Sequence, residues 1–293
     1  MKTRLIITGG ATGLGKALAL SYASNLGANL QICIADINAE RAATTISELQ
    51  ALKADAFFYA CDVTKQADVK GLYDIIQTKW QGVDIVINNA GILRDTIFHK
   101  MEPSDWNNVI SVHLNGSFYV SRAAAPYFRE QNSGAFVHMT STSGLIGNFG
   151  QANYSAAKLG IAGLSKSICL DMSRYNVRSN CIAPFAWSRM TNSIPSNTAA
   201  EKERVERLKK MTPETNAPLA VFLASEAAKN VSGQIFSARL NELFIYNQNR
   251  PVKSVHSASG WTPRQIAERA LPSFKNLMTP NERSGDVFSW DPI

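Results

Sequence analysis

The sequence has no run of about 18 apolar residues, the length that a helix needs to cross a bilayer. Its first residues, Met1 to Arg4, lead directly into an apolar strand-like segment, without the apolar core of a signal peptide. We therefore expect a cytoplasmic protein that does not have a membrane as partner.

Cysteine is scarce as well, and its positions do not follow the spacing of a metal site. The four cysteines are Cys33, Cys61, Cys169 and Cys181. We interpret them as reduced residues of the core, which leaves no candidate for a metal or redox site. The net charge is +7, but the basic segment 202–210 carries glutamates between its lysines and arginines. Such a mixture is typical of a solvated helix, so we expect no nucleic acid as partner.

Length and composition favour one α/β domain. The chain has 293 residues, of which 45% are hydrophobic, enough to bury a full core. Strand-like apolar runs alternate with helical runs from residue 3 to about residue 185, which is typical of a Rossmann-like, doubly wound parallel sheet. We predict a domain over residues 1–245 and a C-terminal extension over residues 246–293 with a helix at 264–271. The extension either packs on the body or on a neighbouring subunit, where it could cover the substrate cleft, or forms a loose appendage.

A glycine-rich turn follows the first strand-like segment and precedes a helical run. Its glycines permit a tight turn and a close approach of the backbone to a pyrophosphate, and the next helix offers free N–H groups. Such a loop alone is a weak signal, although strand, loop and helix come here in the required order. The residues predicted to contact a dinucleotide in this turn are Gly9, Ala11, Thr12, Gly13, Leu14 and Gly15.

Polar residues follow the next three strand-like segments. Asp36 ends the second one, about twenty residues beyond the glycine loop. Its carboxylate can accept both hydroxyls of an adenosine ribose and would repel a 2′-phosphate, which favours NAD over NADP; the alternative is a helix-capping aspartate. Asp62 and Val63 are placed to contact the adenine, and Asn89 and Ala90 belong to a small polar turn after the fourth segment.

Tyr154 and Lys158 lie four residues apart, about one turn along a single face of a predicted helix. A neighbouring ammonium favours the phenolate and lowers the pKa of a tyrosine, which makes Tyr154 a candidate acid or base. Ser141 precedes Tyr154 by thirteen residues, after an apolar run, and could hold a substrate oxygen against that phenol.

Together these motifs resemble the short-chain dehydrogenase/reductase family over about residues 3–240. The resemblance rests on Thr-Gly-x-x-x-Gly-x-Gly at 8–15, on Asn-Asn-Ala-Gly at 88–91 and on Ser141, Tyr154 and Lys158. It implies that Tyr154 is the general acid/base, that Lys158 lowers its pKa and holds the nicotinamide ribose, and that Ser141 orients the substrate. It also implies a homodimer or homotetramer.

One position departs from the family pattern. Where the family has a fourth catalytic residue, an asparagine, this chain has His113. Asn115 would lie about 200° round a helix from that position and is a poor substitute. An imidazole both donates and accepts hydrogen bonds, so His113 could bind the water of a proton relay. The alternative is a buried structural histidine.

Longer stretches narrow the resemblance, among them residues 91–95, 112–114, 147–154 and 188–191. They are similar to the (3R)-hydroxyacyl-CoA dehydrogenase unit of peroxisomal multifunctional enzyme type 2, and in large part to 3-oxoacyl-[acyl-carrier-protein] reductases. The resemblance implies NAD-dependent chemistry on a 3-hydroxyacyl or 3-oxoacyl thioester and leaves the acyl carrier open. A steroid or another alcohol is an alternative substrate, and a non-catalytic sensor of NAD is a function of a different class.

Residues 185–213 lie where the family carries a mobile substrate lid. Phe185 stands where the family usually has glycine, which puts the backbone geometry beside the cofactor in question. Trp187 and Met190 are candidates for the wall of an acyl channel, and Arg189 is a candidate for anchoring the phosphate-bearing carrier of a thioester. The alternative for these side chains is core packing and a surface salt bridge.

Overall fold

The described chain, residues 2–187 and 198–293 of a computed structural model, contains one eight-stranded sheet. The strands are β1 (Thr3–Thr8), β2 (Leu30–Asp36), β3 (Asp55–Ala60), β4 (Ile85–Asn88), β5 (Gly134–Met139), β6 (Val177–Ile182), β7 (Ile235–Arg239) and β8 (Glu242–Ile245). Their order across the sheet is β3-β2-β1-β4-β5-β6-β7-β8. All neighbours are parallel except β7 and β8, which form an antiparallel pair.

Helices connect the parallel strands, as crossovers between such strands require. They are α1 (Gly13–Leu26), α2 (Ala39–Ala51), α3 (Gln66–Trp80), α4 (Pro103–Ile110), α5 (Gly116–Gln131), α6 (Thr142–Leu145), α7 (Ala152–Met172), α8 (Ala199–Lys209) and α9 (Ala217–Ala224). Between α4 and α5 the chain passes through a π-helical turn, Ser111–Asn115. The last helical turns are Pro263–Gln265, the π-helical Ile266–Ala270, Leu271–Phe274, the 3₁₀ turn Lys275–Leu277 and Ser284–Val287.

Both faces of the sheet are covered, which explains why its strands are apolar without alternation. Successive side chains of a strand point to opposite faces. In β1, Leu5 and Ile7 accordingly pack with α1, α2 and α9, whereas Ile6 packs with α3 and α5. The predicted Rossmann-like, doubly wound sheet is therefore confirmed.

The strand order places the predicted loops together. β1 pairs with β2 on one side and with β4 on the other, so the direction of winding reverses between β1 and β4. Ligands of open α/β sheets bind outside the carboxyl ends of the strands at such a switch point. The glycine loop after β1 and the turn after β4 meet there.

The end of the sheet and the extension differ in part from the prediction. Strand β8, which pairs with β7, was not predicted. The predicted helix begins where expected, because the side chains and backbones of Thr262 and Gln265 cap each other and Pro263 occupies the first turn. It then passes through the π-helical turn and ends at Phe274.

Two further observations bear on the composition. All four cysteines are free; Cys33, Cys61 and Cys181 are buried and Cys169 is half-buried. Within residues 2–187 and 198–293, no helix combines the length and the apolar character needed to cross a membrane.

Candidate active site

The glycine-rich turn between β1 and α1 keeps a space open that larger residues would fill. Gly9 has a φ of +63°, and a Cβ on Gly15 would lie 2.2 Å from the carbonyl oxygen of Gly9. Beyond its own chain neighbours, Gly13 has no described atom within 4 Å of where a Cβ would stand. Helix α1 begins at Gly13, and the side chain of Thr12 does not cap it. Its first N–H groups are therefore available to an anionic ligand.

Thr8 and Asn89 tie this turn to the turn after β4. The hydroxyl oxygen of Thr8 accepts hydrogen bonds from the backbone N–H groups of Asn89, at 3.0 Å, and Ala90, at 3.1 Å. The Asn89 side chain donates to the carbonyl oxygens of Thr8, at 3.1 Å, and Gly9, at 2.9 Å. These four bonds fix the two turns against each other, so Asn89 shapes the wall of the site.

A cavity of about 790 Å³ runs along these turns toward α7. A volume of this size suits a cofactor or another small molecule. The predicted residues that line it are Gly9, Ala11, Thr12, Gly13, Leu14, Asp36, Asp62, Val63, Asn89, Ala90, His113, Tyr154, Lys158 and Trp187. Gly15 lies behind this lining, at the close contact with Gly9. Ser141 is not part of the lining.

Asp36 stands at the carboxyl end of β2, beside the glycine turn. Its carboxylate accepts hydrogen bonds from the N–H groups of Ala11 and Asn38, both at 3.0 Å. Each carboxylate oxygen retains lone pairs for further donors such as ribose hydroxyls. The cap of α2 is Asn38, whose side chain accepts from the N–H of Arg41 at 2.9 Å. The alternative interpretation of Asp36 as the helix cap is therefore wrong.

Arg41 is a cavity residue that the sequence analysis missed. It lies in the first turn of α2, and its exposed side chain lines the same cavity as Asp36. The immediate neighbours, Ile37 after Asp36 and Thr12 before Gly13, carry no positive charge. A search of the first turn of α2 would have found it, because Asn38 predicts that this helix starts beside the cavity.

Tyr154 and Lys158 converge in the structure. Asn153, fully buried at the start of α7, donates to the carbonyl oxygen of Arg94 at 3.0 Å and accepts from the N–H of Tyr154 at 2.7 Å. These bonds fix the first turn of α7. One turn later, the Lys158 Nζ lies 5.5 Å from the centroid of the Tyr154 ring and donates to the carbonyl oxygen of Met139 at 2.6 Å.

The pKa of Tyr154 shifts in the direction opposite to our expectation. Burial raises the pKa of its phenol to about 12; the hydrogen bond from Ser141 acts in the lowering direction and the charge of Asp95 in the raising direction. Burial also lowers the pKa of Lys158 to about 7, against a small opposite effect of Cys181. The predicted lowering of the Tyr154 pKa is therefore wrong, because burial is the largest effect on the phenol and the Lys158 ammonium donates to the Met139 carbonyl oxygen.

Ser141 follows β5 and caps the short helix α6. Its hydroxyl oxygen accepts the N–H of Ser143 at 3.1 Å, which fixes the oxygen and leaves the hydroxyl proton free to donate. The hydrogen bond that lowers the pKa of the Tyr154 phenol places these two side chains together. The structure thus brings Ser141 to the Tyr154 phenol, and Tyr154 and Lys158 line the cavity beside it.

His113 lies inside the site, in the π-helical turn. Its ring meets the Tyr154 ring edge-on, with 5.2 Å between centroids, and packs against Gly91. The Nε2 atom is 2.8 Å from the carbonyl oxygen and 3.1 Å from the amide nitrogen of Ile92, whereas Nδ1 has no partner among the described residues. Burial, and then the charge of Lys158, lower the pKa of His113 to about 3, so its ring is neutral at pH 7. The relay role stays a prediction.

The predicted lid is only partly described. Trp187 lines the cavity, and its backbone N–H donates to the carbonyl oxygen of Met211 at 2.5 Å. Arg189 and Met190 lie outside the described residues. Phe185 does not line the cavity, because its ring packs edge-on against Phe288 of the extension, with 4.9 Å between centroids. The family departure at this position therefore serves a contact with the extension.

Comparison with known proteins agrees with this geometry. The sequence profile described as short chain dehydrogenase matches residues 3–199. In curated proteins, the chain is 39% identical to a short-chain type dehydrogenase/reductase of Mycobacterium tuberculosis, Rv0148, over 78% of this chain and 79% of the relative. It is 35% identical to the 3-oxoacyl-[acyl-carrier-protein] reductase FabG of Thermotoga maritima, over 78% of this chain and 93% of that protein.

Two further matches extend the comparison. The chain is 38% identical to the peroxisomal hydratase-dehydrogenase-epimerase of Saccharomyces cerevisiae, over 79% of this chain but only 25% of that much longer protein. Among solved structures, a short chain dehydrogenase from Mycobacterium avium superposes with a TM-score of 0.82 at 29% identity. That match covers 95% of this chain and 97% of the other, so it includes most of the C-terminal extension.

Proposed function

Because this chain belongs to the short-chain dehydrogenase family and is therefore an oxidoreductase, we propose that it interconverts a secondary alcohol and a ketone with NAD. We further propose that the substrate is a 3-hydroxyacyl or 3-oxoacyl thioester. The observation that carries the proposal is that Tyr154 and Lys158 line the same cavity as Asp36, with Ser141 hydrogen-bonded to the Tyr154 phenol.

The residues of the cavity fit a dinucleotide. Gly9 and Gly15 have no room for a side chain, and the uncapped first turn of α1 would bind the pyrophosphate. Asp36 would accept the hydroxyls of the adenosine ribose, and Asp62 and Val63 would flank the adenine. When bound, the nicotinamide accepts or supplies the hydride.

The three polar side chains at the other end would manage the proton. For alcohol oxidation, the Tyr154 oxygen takes the proton of the substrate hydroxyl; for ketone reduction, its phenol returns one. Ser141 donates to the substrate oxygen and so holds it against Tyr154. Lys158, with a pKa of about 7, exchanges protons with its surroundings at neutral pH and would hold the nicotinamide ribose. A phenol with a pKa of about 12 carries its proton at neutral pH, which is the form that donates to a ketone oxygen.

The choice of NAD rests on charge. The Asp36 carboxylate lines the cavity and would repel a 2′-phosphate bound beside it, because like charges repel. Arg41 lines the same cavity, and its positive charge would favour such a phosphate. Asp36 is fixed by two backbone N–H groups, whereas Arg41 is exposed, so the carboxylate sets the preference.

A thioester substrate is supported by the relatives and by the surface. The Thermotoga relative is named as a 3-oxoacyl-[acyl-carrier-protein] reductase, and the yeast relative as a dehydrogenase joined with a hydratase and an epimerase. On this chain, Phe98 and Phe149 are exposed by 76% and 75%, on segments joined by the hydrogen bond from the Thr96 N–H to the Gly150 carbonyl oxygen at 2.8 Å. Each of these rings is an exposed apolar side chain that an acyl chain could cover, and Phe149 lies three residues before α7.

Reduced nicotinamide absorbance on a substrate panel tests the proposal. The panel contains 3-oxoacyl thioesters of CoA and of acyl carrier protein, a ketosteroid and a simple ketone, each with NADH and NADPH, and the matching alcohols with the oxidised cofactors. We expect turnover of one or both thioesters with NADH. Turnover of the steroid alone would replace the substrate class, and NADH binding without any turnover would favour a non-catalytic sensor.

Assembly and location stay predictions. We propose a homodimer or homotetramer, as expected from the family, and a cytoplasmic location; light scattering of the purified protein and fractionation of cells test them.

A further inference from the structure

Residues 282–293, here called the C-terminal strap, bind the segment that follows Ser141. Ser284, only 7% exposed, donates from its hydroxyl to the hydroxyl oxygen of Thr142 at 2.6 Å. The N–H of Ser284 donates to the carbonyl oxygen of Gly147 at 2.8 Å. Arg283 lies over the ring of Phe149, 5.4 Å from its centroid. The strap thus contacts both ends of the turn that leads from Ser141 toward α7.

The strap is also anchored at its other end. Phe288 packs edge-on against Phe185, which follows β6, and against Phe244 of β8, with 4.9 and 5.4 Å between centroids. Farther along, Asp291 forms an ion pair of 3.0 Å with Arg207 of α8. The strap therefore connects the turn after β5 with the segment after β6, the two segments on the substrate side of the site.

We propose that Ser284 is a positioning residue of the reaction, which holds the Ser141 hydroxyl in place through Thr142. This inference rests on the proposed function of the Ser141 and Tyr154 pair. Thr142 is the first residue of α6, the helix that Ser141 caps. Its side chain is fixed by Ser284 from the side of the extension, so the first turn of α6 does not rotate freely. Ser141 keeps its oxygen on the Ser143 N–H only while that turn holds its position.

Several features distinguish this contact from ordinary surface packing. Both hydroxyls are buried, and the residues are 142 positions apart in the chain. Loss of one partner leaves the other hydroxyl buried without its bond, which costs more than the bond itself contributes. Among residues 246–293, Ala270 and Ser284 are the two buried residues, and Ser284 is the one that bonds to the turn after β5. The strap is therefore the part of the extension whose contacts reach the site.

The test compares Ser284→Ala with Ser284→Thr, which keeps a hydroxyl, and with Ser273→Ala. Ser273 is a matched control, because it lies in the same extension and donates only to the carbonyl oxygen of Ala270, at 2.7 Å. Steady-state rates with NADH and the best thioester of the panel give kcat and the two KM values. Hydrogen exchange at the Ser143 N–H, the donor to Ser141, reports the position of the serine without any turnover.

We expect Ser284→Ala to lower kcat roughly five- to tenfold, the effect of one lost hydrogen bond, with the KM for NADH unchanged. Exchange at the Ser143 N–H should become faster, Ser284→Thr should restore both quantities, and Ser273→Ala should resemble the unaltered protein. Unchanged Ser143 exchange in Ser284→Ala would overturn the proposal. So would an equal loss of kcat in Ser273→Ala, which would indicate general loosening of the extension.

The same experiment separates this proposal from the proposed function. If the unaltered protein turns over no member of the panel, the proposed function fails, while the exchange at Ser143 still decides whether Ser284 fixes the serine turn. If turnover is present and only the exchange and kcat of Ser284→Ala stay unchanged, the proposed function stands and the positioning role falls.

Discussion

The site has two halves that are built differently. The cofactor half, at the ends of β1, β2 and β4, consists mainly of backbone: glycines without room for a Cβ, and N–H groups that bind Asp36 and Thr8. The substrate half, at the ends of β5 and β6, depends on side chains that come from distant segments. Asp36 and Ala11 are 25 residues apart, whereas Ser284 and Thr142 are 142 apart.

The difference shows where each half can vary. Backbone geometry tolerates few substitutions, because a Cβ at Gly9 or Gly15 would collide with main-chain atoms. Side-chain contacts such as Phe185 with Phe288 can be exchanged for others without a change of the strand order. A common cofactor half can therefore be combined with many substrate halves.

Tyr154 lies where the cofactor half and the substrate half meet, so removal of its hydroxyl tests whether catalysis and cofactor binding can be separated. We expect Tyr154→Phe to lower kcat by about a hundred- to ten-thousandfold, the contribution of a positioned acid/base, with NADH affinity unchanged. Stopped-flow turnover and NADH fluorescence titration measure the two quantities. Tyr175→Phe, a change outside the cavity, is the control. Substantial turnover by Tyr154→Phe would remove the assigned role.

Gly15→Ala should distort the cofactor half of the site and leave the substrate half intact. Its Cβ would lie 2.2 Å from the Gly9 carbonyl oxygen, so we expect a loss of about 1–3 kcal/mol in the free energy of unfolding and weakened NADH binding. Gly163→Ala is the matched control: this glycine is exposed in α7 with no described atom near the new Cβ. It should gain about 0.5–1 kcal/mol. Equal NADH affinity in both variants would contradict the description of the glycine turn.

Acid should weaken the protein through two buried histidines near the boundary of the halves. Burial lowers the pKa of His138, in β5, to about 3, as burial and Lys158 do for His113. The unfolded chain binds these protons below about pH 6.5, while the folded chain binds them only near pH 3. Stability should therefore fall as the pH falls through this window, by about 1.4 kcal/mol per pH unit for each histidine.

Urea unfolding at several pH values between 6.5 and 5, above the range where carboxylates titrate, measures this slope. His138→Gln should remove about half of it. An unchanged slope in that variant would show that His138 does not titrate as its burial indicates.

The cofactor half could be predicted from the sequence because its determinants are local. The strand, the glycines and the helix follow one another within residues 3–26, and Asp36 ends the next strand. Tyr154 and Lys158 share a helix face, so their convergence follows from helical geometry alone. The parallel order of the sheet follows from the alternation of strands and helices.

The rest depends on contacts that local patterns do not contain. No local signal indicates that Ser284 reaches Thr142 or that Phe185 packs on Phe288. The direction of the Tyr154 pKa was predicted wrongly because a spacing of four residues fixes proximity but not burial. The angle of about 200° between His113 and Asn115 assumed an ideal α-helix. The π-helical turn at Ser111–Asn115 changes that angle.

The antiparallel hairpin at the end of the sheet restricts how molecules of this protein can join. β7 pairs with β6 through Ile235 and Phe236 and with β8 through Phe236–Arg239, so β8 forms the outermost strand of the described sheet. Its outer edge is four residues long, and so short an edge is a poor template for strand pairing with another chain. The hairpin of β7 and β8 thus protects one edge of the sheet against aggregation.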